Sequence, residues 1–389
     1  MRILHLIDSA GIYGAEVMLL SLARESIRLG HDVEIGTIVS PNDNSNPLAE
    51  LASNQGLRAV PFLMRDGIYV RGVGEIVRHV KDEKIDVVHS HGYKANVLMA
   101  IFADRSRNWA TTCSLHGWTS CKLTDRRKVY EIIERRLIRR IDYVVAVNEA
   151  IAGRVERSAL AGRLEVIANG VSVHADSARP ADHARERQGA SLVLLAAGRL
   201  SREKGFDLLI EAIGMLRERG VIARLEIAGE GPERRNLEQQ VGQLELGSLV
   251  KFLGYSRDMT ALYENADCLV LSSRTEGLPM VVLEAMAHRL PVVATPVGDV
   301  PKVLMAGDLG FLADRSDARS IAMAIDRAAS TSKRNRQHMA DRAYERVRRE
   351  YSVESSTRKY LSAYASAIAR VQSKHTLGRT RTERGDQIE

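Results

Sequence analysis

Apolar and polar positions follow two rhythms along this chain. Short apolar runs read as strands; between them, apolar residues return every third or fourth position, as on one face of a helix. In the first half the strand runs are Arg2–Ile7, Asp32–Val39, Asp86–His89, Thr111–Leu115, Tyr143–Val147 and Leu164–Ile167. Helical patterns such as Ala15–Leu29 and Val73–Glu83 lie between them. Val173–Gln188 is polar and without clear period, as a linker is. A second series follows: Leu192–Gly198, Arg224–Gly229, Val250–Leu253, Cys268–Leu271 and Pro291–Thr295. Strands alternating with helices predict a mostly parallel, doubly wound α/β sheet. Its repetition across a linker predicts two Rossmann-like domains with a cleft between them. Toward the end, Ser356–Val371 sets Tyr360, Leu361, Tyr364 and Ile368 on one side of a helix. After Ser373 the chain carries Arg379, Arg381 and Arg384 without an apolar face, which predicts a disordered tail.

A length of 389 residues exceeds what one core usually accommodates, in keeping with two domains. The 45% hydrophobic and 27% charged residues are ordinary for a soluble globular protein. No apolar stretch is long enough for a membrane-spanning helix. The chain enters a strand pattern at Arg2 with no signal-peptide pattern before it, so no leader is expected. Three scattered cysteines, Cys113, Cys121 and Cys268, have no metal-ligand spacing and fit a reducing cytoplasm.

A net charge of +7 asks for an anionic partner. Nucleic acid is disfavoured, because aromatics are only 5% and no nucleic-acid-binding pattern appears. Lys122 to Arg140 holds eight basic residues against Asp125, Glu131 and Glu134, interleaved with Val129, Ile132, Ile133, Leu137 and Ile138. This basic amphipathic helix suits the surface of an anionic membrane, and the expected location is the cytoplasm or the inner face of the cytoplasmic membrane. A solvated charged helix with its apolar stripe in the core is the alternative.

The most informative stretch is residues 270–296, LVLSSRTEGLPMVVLEAMAHRLPVVAT. A strand leads through Ser272-Ser273-Arg274-Thr275 to a helix opened by Glu276-Gly277-Leu278-Pro279, and a second strand follows. Pro279 fits the first helical turn, where its missing donor costs nothing. Such a βαβ unit puts a helix N-terminus at the carboxyl end of a strand, where open α/β sheets bind ligands and free N–H groups favour an anion. Glu276 and Glu284 add carboxylates, which repel phosphate and so point to neutral hydroxyls such as those of ribose and a sugar. Taken alone, the two read first as a helix cap and a solvated helix residue.

Other candidates stand at strand exits. Gly11-Ile12-Tyr13-Gly14 starts a helix and reads as a phosphate-approaching loop or a tight turn, but its spacing is no dinucleotide fingerprint. Arg199 and Lys204 place two cations beyond the second domain's first strand, as a diphosphate leaving group needs, or are plain surface charge. His116 ends a first-domain strand. His89 and His91 form a His-x-His pair with no third ligand near in sequence, so no metal site is expected.

The string TEGLPMVVLEAMAHRLPVVAT closely resembles the donor-site signature of retaining glycosyltransferases of family 4 (glycosyl transferases group 1), which have the GT-B fold. Further pieces match in order, so the resemblance spans about residues 1–372. It includes GRLSREKGFDLLIEA, Ala228-Gly229-Glu230-Gly231-Pro232, Asn169-Gly170-Val171 and the glycine loop ending at Gly14. It implies an acceptor-side domain over residues 1–175, a linker over 176–190 and a nucleotide-sugar domain over 191–352. A terminal helix over 353–372 would return to the first domain, with the tail at 373–389. It further implies Arg199 and Lys204 at the diphosphate, Glu284 on the ribose, Glu276 on the donor sugar and His116 beside the transferred sugar. Gly14, Gly277, Leu278 and Pro279 would line the donor. The co-substrate is then a nucleotide-diphosphate sugar, with no cofactor or metal expected, and transfer goes to a hydroxyl in bacterial polysaccharide or glycolipid assembly.

Pro296 to Lys302 departs from the family's Gly-Gly-x-Pro-Glu segment at Asp299 and Lys302, which reads as a specificity difference. Two alternatives stay open: a nucleotide-sugar epimerase of the same fold, and a non-catalytic nucleotide-sugar-binding scaffold. Loops at Pro41–Pro47 and Arg65–Gly74 are expected to shape the site of a lipid-linked or saccharide acceptor, whose chemical groups they do not name.

Overall fold

The computed structural model describes residues 1–8, 14–40, 46–64, 70–101, 107–115, 126–155, 157–173, 192–256 and 258–385. They form two compact units: Met1–Gly170 together with Val353–Glu389, and Val171–Ser352. The expected linker, 176–190, lies outside the described residues, as does His116.

The first unit has seven strands: β1 (Arg2–Asp8), β2 (Asp32–Val39), β3 (Arg58–Leu63), β4 (Val87–His91), β5 (Ala110–Leu115), β6 (Tyr143–Ala146) and β7 (Leu164–Val166). They are parallel throughout, in the order β3-β2-β1-β4-β5-β6-β7. The second unit has six: β8 (Leu192–Ala197), β9 (Ala223–Ala228), β10 (Val250–Gly254), β11 (Cys268–Leu271), β12 (Val292–Ala294) and β13 (Phe311–Leu312). These too are parallel, in the order β10-β9-β8-β11-β12-β13. In each sheet the order reverses beside the first strand, at β1/β4 and at β8/β11. That reversal opens a crevice at the strands' carboxyl ends.

Two strands carry no clear sequence signal. β3 contains Pro61 but lies at an edge, where a missing ladder donor is tolerated. β13, two residues at the opposite edge of the other sheet, is too short to show a period. Parallel sheets are covered on both faces, and the helices supply that cover. In Phe206–Glu218, Leu209, Ile210, Ile213 and Leu216 are at most 1% exposed, each burial contributing about 2 kcal/mol.

The last helix, Val353–Gly385, belongs to the first unit. Tyr360, Ala363, Tyr364, Ala367 and Val371 return at helical spacing and pack with Ile3, Leu19, Val145 and Ile167. The Ser356 hydroxyl donates to the Ala168 carbonyl (2.9 Å), and Lys374 reaches Asp142 at 2.9 Å. The segment expected to be disordered is therefore helical as far as Gly385. It continues a helix already nucleated, and it contains no proline to stop it.

Beneath Tyr360 and Tyr364 the sheet presents a polar layer instead of an apolar one. His5 on β1 and His89 and His91 on β4 are at most 1% exposed, and their ligating atoms lie within 4.8 Å of one another. The His-x-His pair thus has a third imidazole nearby, contrary to the sequence reading. Parallel pairing puts His5 directly opposite His89, a neighbour that spacing along the chain does not reveal. Both ring nitrogens of His89 are engaged, with Tyr364 (2.6 Å) and Ser114 (2.8 Å), and His5 Nδ1 meets His91 Nε2 at 3.0 Å. His5 Nε2 has no hydrogen-bond partner, and burial lowers the pKa of this imidazole to about 3.

Candidate active site

In the second unit, polar groups gather where β8 and β11 end. After β8 the chain makes a tight turn, Arg202–Lys204, closed by Gly205 at φ 64°. A Cβ at Gly205 would lie 2.2 Å from the Ser272 carbonyl oxygen, so the loops after β8 and β11 touch backbone to backbone there. Side chains lock this contact. The Ser272 hydroxyl donates to the Lys204 carbonyl (3.0 Å), and the Arg274 amide to that of Glu203 (2.8 Å). The Arg274 guanidinium grips the Asp207 carboxylate with two bonds (2.7 and 2.6 Å) and holds its pKa below the usual carboxylate range.

This clamp brings Lys204 to Glu276. Lys204 Nζ lies 2.7 Å from Glu276 Oε1, which also accepts from the Ser273 hydroxyl (2.6 Å). Both side chains are largely shielded, 26% and 11% exposed. Beyond Glu276, the N–H groups of Gly277 and Leu278 have no acceptor among the described residues. The helix that follows is Met280–Ala287, with Pro279 at its cap (ψ 112°) rather than in its first turn. The Gly277 carbonyl is held from behind by the Asp299 amide (2.9 Å). Gly298 passes so close that a Cβ there would lie 2.3 Å from the Glu276 oxygen.

Glu284, one turn into the helix, accepts from the hydroxyl of Tyr263 (2.6 Å). Tyr263 is 2% exposed, and its pKa is driven upward by burial and then by the Glu284 charge. The His288 ring lies against Tyr263, 4.9 Å between centroids, with Nδ1 2.8 Å from the Glu284 carbonyl. One oxygen of Glu284 is thereby fixed.

Lys204, Glu276, Gly277, Leu278, Pro279 and Glu284 thus share the carboxyl-end loops and the helix beginning there. Arg199 stands after the same strand as Lys204 but is exposed, and its guanidinium makes no hydrogen bond among the described residues. Gly14 begins the helix Gly14–Arg28 of the first unit. The sequence reading missed Tyr263, Asp207 and the clamping role of Arg274. Arg274 and Asp207 lie inside the quoted strings, but Tyr263 sits in Met259–Asn265, a short helix without a motif.

The family model for glycosyl transferases group 1 matches residues 179–346, and that for glycosyltransferase family 4 matches residues 12–175. The putative colanic acid biosynthesis glycosyltransferase WcaL of Escherichia coli is 29% identical over 237 residues, 59% of this chain and 57% of that protein. The lipopolysaccharide core biosynthesis glycosyltransferase LpsE of Rhizobium meliloti is 33% identical over 236 residues, 59% of this chain and 65% of that one. The chain thus spans less than two thirds of these relatives' length. In fold it is similar to Anabaena HepE, solved in complex with UDP, with a TM-score of 0.76 and 22% identity over 94% of this chain and 100% of that one. Sucrose-phosphate synthase of Thermosynechococcus elongatus gives 0.73 at 19% identity, over 95% and 100%. Two matched models in succession, two parallel Rossmann-like sheets and these neighbours agree: the chain belongs to glycosyltransferase family 4, with the GT-B fold.

Proposed function

We propose that this protein is a retaining glycosyltransferase that moves a sugar from a nucleotide-diphosphate sugar to a hydroxyl acceptor in bacterial polysaccharide or glycolipid assembly. The observation that carries this reading is the Lys204–Glu276 pair beside the unpaired amides of Gly277 and Leu278. Cation and amides suit the diphosphate, whose departure needs fixed positive charge where negative charge develops. Arg199, exposed beyond the same strand, supplies a second cation. Glu276 takes a hydroxyl of the donor sugar, and Glu284, aimed by Tyr263, takes the ribose hydroxyls. His116 is assigned to the sugar's other side, on the family resemblance.

In the reaction, the bond from the anomeric carbon to the β-phosphate oxygen breaks. The acceptor oxygen bonds to that carbon on the same face, and its proton passes to the departing phosphate. UDP in HepE supports a nucleoside diphosphate as the bound product. The names of WcaL and LpsE support polysaccharide or lipopolysaccharide building as the setting.

A lipid-linked or saccharide acceptor at a membrane surface suits the helix Arg126–Leu137 and the turn after it. Glu134 is buried there and accepts from Asn96 (2.7 Å), while Arg135, Arg136, Arg139 and Arg140 are exposed. Among the described residues, no helix is long and apolar enough to cross a membrane.

The test is thermal stability with UDP, GDP, ADP, CMP and their sugar conjugates, for the natural chain and Glu284→Ala. A ligand at about 100 times its Kd stabilises by about 2.7 kcal/mol. Selective stabilisation by one nucleotide, lost in Glu284→Ala, is expected. No shift with any of them would return the chain to the scaffold reading.

A further inference from the structure

A second concave site lies in the same unit, formed by other residues. Its cavity, about 480 Å³, is lined by Arg289, Met305, Arg342, Arg346 and Arg349, with the carboxylates of Asp341 and Glu345. Lys204, Glu276 and Glu284 take no part in it. With the adjoining Arg348 and Glu350, five guanidiniums stand among three carboxylates, an excess of two positive charges; Arg346 and Arg349 both pair with Glu350 (3.2 and 2.8 Å). The carboxylates are already engaged, Asp341 with Arg289 (2.9 Å) and Glu345 with Arg348 (2.8 Å). Arg342 is exposed and has no ion pair among the described residues.

Two of these arginines are built in rather than loosely solvated. Arg289 lies flat on Tyr344, its Cζ 3.8 Å from the ring centroid, and Arg346 lies 6.0 Å from the ring of Tyr351. Stacking fixes the Arg289 guanidinium plane, with its Nη1 on Asp341 (2.9 Å), and Arg346 is held by Glu350 (3.2 Å). Each also keeps a buried Nε without a hydrogen-bond partner.

The backbone is strained at the same place. Among the described residues five non-glycine residues have positive φ, and three of them stand here: Arg289 (52°), Met305 (47°) and Ala306 (53°). Arg289 follows the cap of the helix Met280–Ala287, a position where glycine is the usual residue. A large cation held there against its backbone preference is the kind of strain that accompanies a functional site.

We propose that this pocket binds a phosphate-bearing anion, a phosphomonoester or diphosphate group carried by a small molecule or a lipid headgroup. Several forked donors around one cavity match a tetrahedral, multiply charged group better than a single carboxylate. The site is independent of the donor reading above.

The test uses the full chain in saturating UDP at 0.15 M salt, so that the donor loops are already occupied if UDP binds there. Inorganic pyrophosphate is titrated calorimetrically, and sedimentation with phosphatidylglycerol vesicles is compared with phosphatidylcholine vesicles. The variant R342S/R349S replaces two exposed arginines, and its melting curve controls for folding. Saturable pyrophosphate binding, weakened about ten-fold or more in the variant, is the expected result for a free phosphate ligand. Selective sedimentation with phosphatidylglycerol, lost in the variant, is expected for a lipid phosphate. If the variant weakens neither probe's binding, or neither probe binds, the proposal is overturned.

Discussion

The two units share a strand order about their central strands, yet they treat polar residues in opposite ways. In the first, His5, His89 and His91 project from the face of the sheet and are sealed beneath Tyr360 and Tyr364 of the terminal helix. In the second, Lys204, Glu276 and Glu284 stand beyond the strand ends, partly open and held by neighbours that leave some of their capacity free. The same topology therefore yields a closed polar layer or an open site, depending on whether the residues lie along a strand or after it. Along a strand, a helix must cover them. After it, only loops compete for their hydrogen bonds.

The largest effect expected from this contrast is in the sealed layer. Folded His5 stays neutral down to about pH 3, whereas in the unfolded chain it protonates near 6.5. Protonation then favours the unfolded state, so the stability is intact above pH 6.5 and falls between there and pH 3. The loss is about 1.4 kcal/mol per pH unit for this one group. His5→Gln should reduce the slope of unfolding free energy against pH by that amount, measured by urea melts between pH 4 and 7. An unchanged slope would mean that His5 is not sealed as described.

Next comes the open site. Lys204→Ala should lower kcat for sugar transfer by about 100- to 1,000-fold, as loss of a preorganised charge at a leaving group does. Glu276 would then keep only the Ser273 hydroxyl on Oε1. A loss below about ten-fold in steady-state transfer would place the leaving-group charge elsewhere.

The smallest effect falls on Tyr263, a buried residue whose hydroxyl serves the open site. Tyr263→Phe removes one charge-assisted bond to Glu284, so donor KM should rise about ten-fold while kcat stays within about two-fold. In a Glu284→Ala background the same change should add little, and a double-mutant cycle measures that coupling. Additive losses would reduce Tyr263 to a packing role.

The sequence alone determined that the chain builds two doubly wound domains, because strand and helix periods are local and survive in apolar spacing. It also carried the strings that resemble the family's donor signature, because Glu276 to Glu284 and the Arg199–Lys204 loop are contiguous. Only the tertiary structure decided which of these groups meet. Lys204 and Glu276 are 72 residues apart and pair because Gly205 lets two loops touch, while Arg274 and Asp207 clamp them. Tyr263 reaches Glu284 from a helix with no motif, and His5 meets His89 and His91 through parallel register across 86 residues and fewer. The tail shows the same limit in reverse: its composition lacks an apolar face, but a helix already nucleated by Tyr360 and Tyr364 carries it on to Gly385. Periodicity records what each segment buries. Pairing across the sheet depends on closure of the whole chain, which no local window contains.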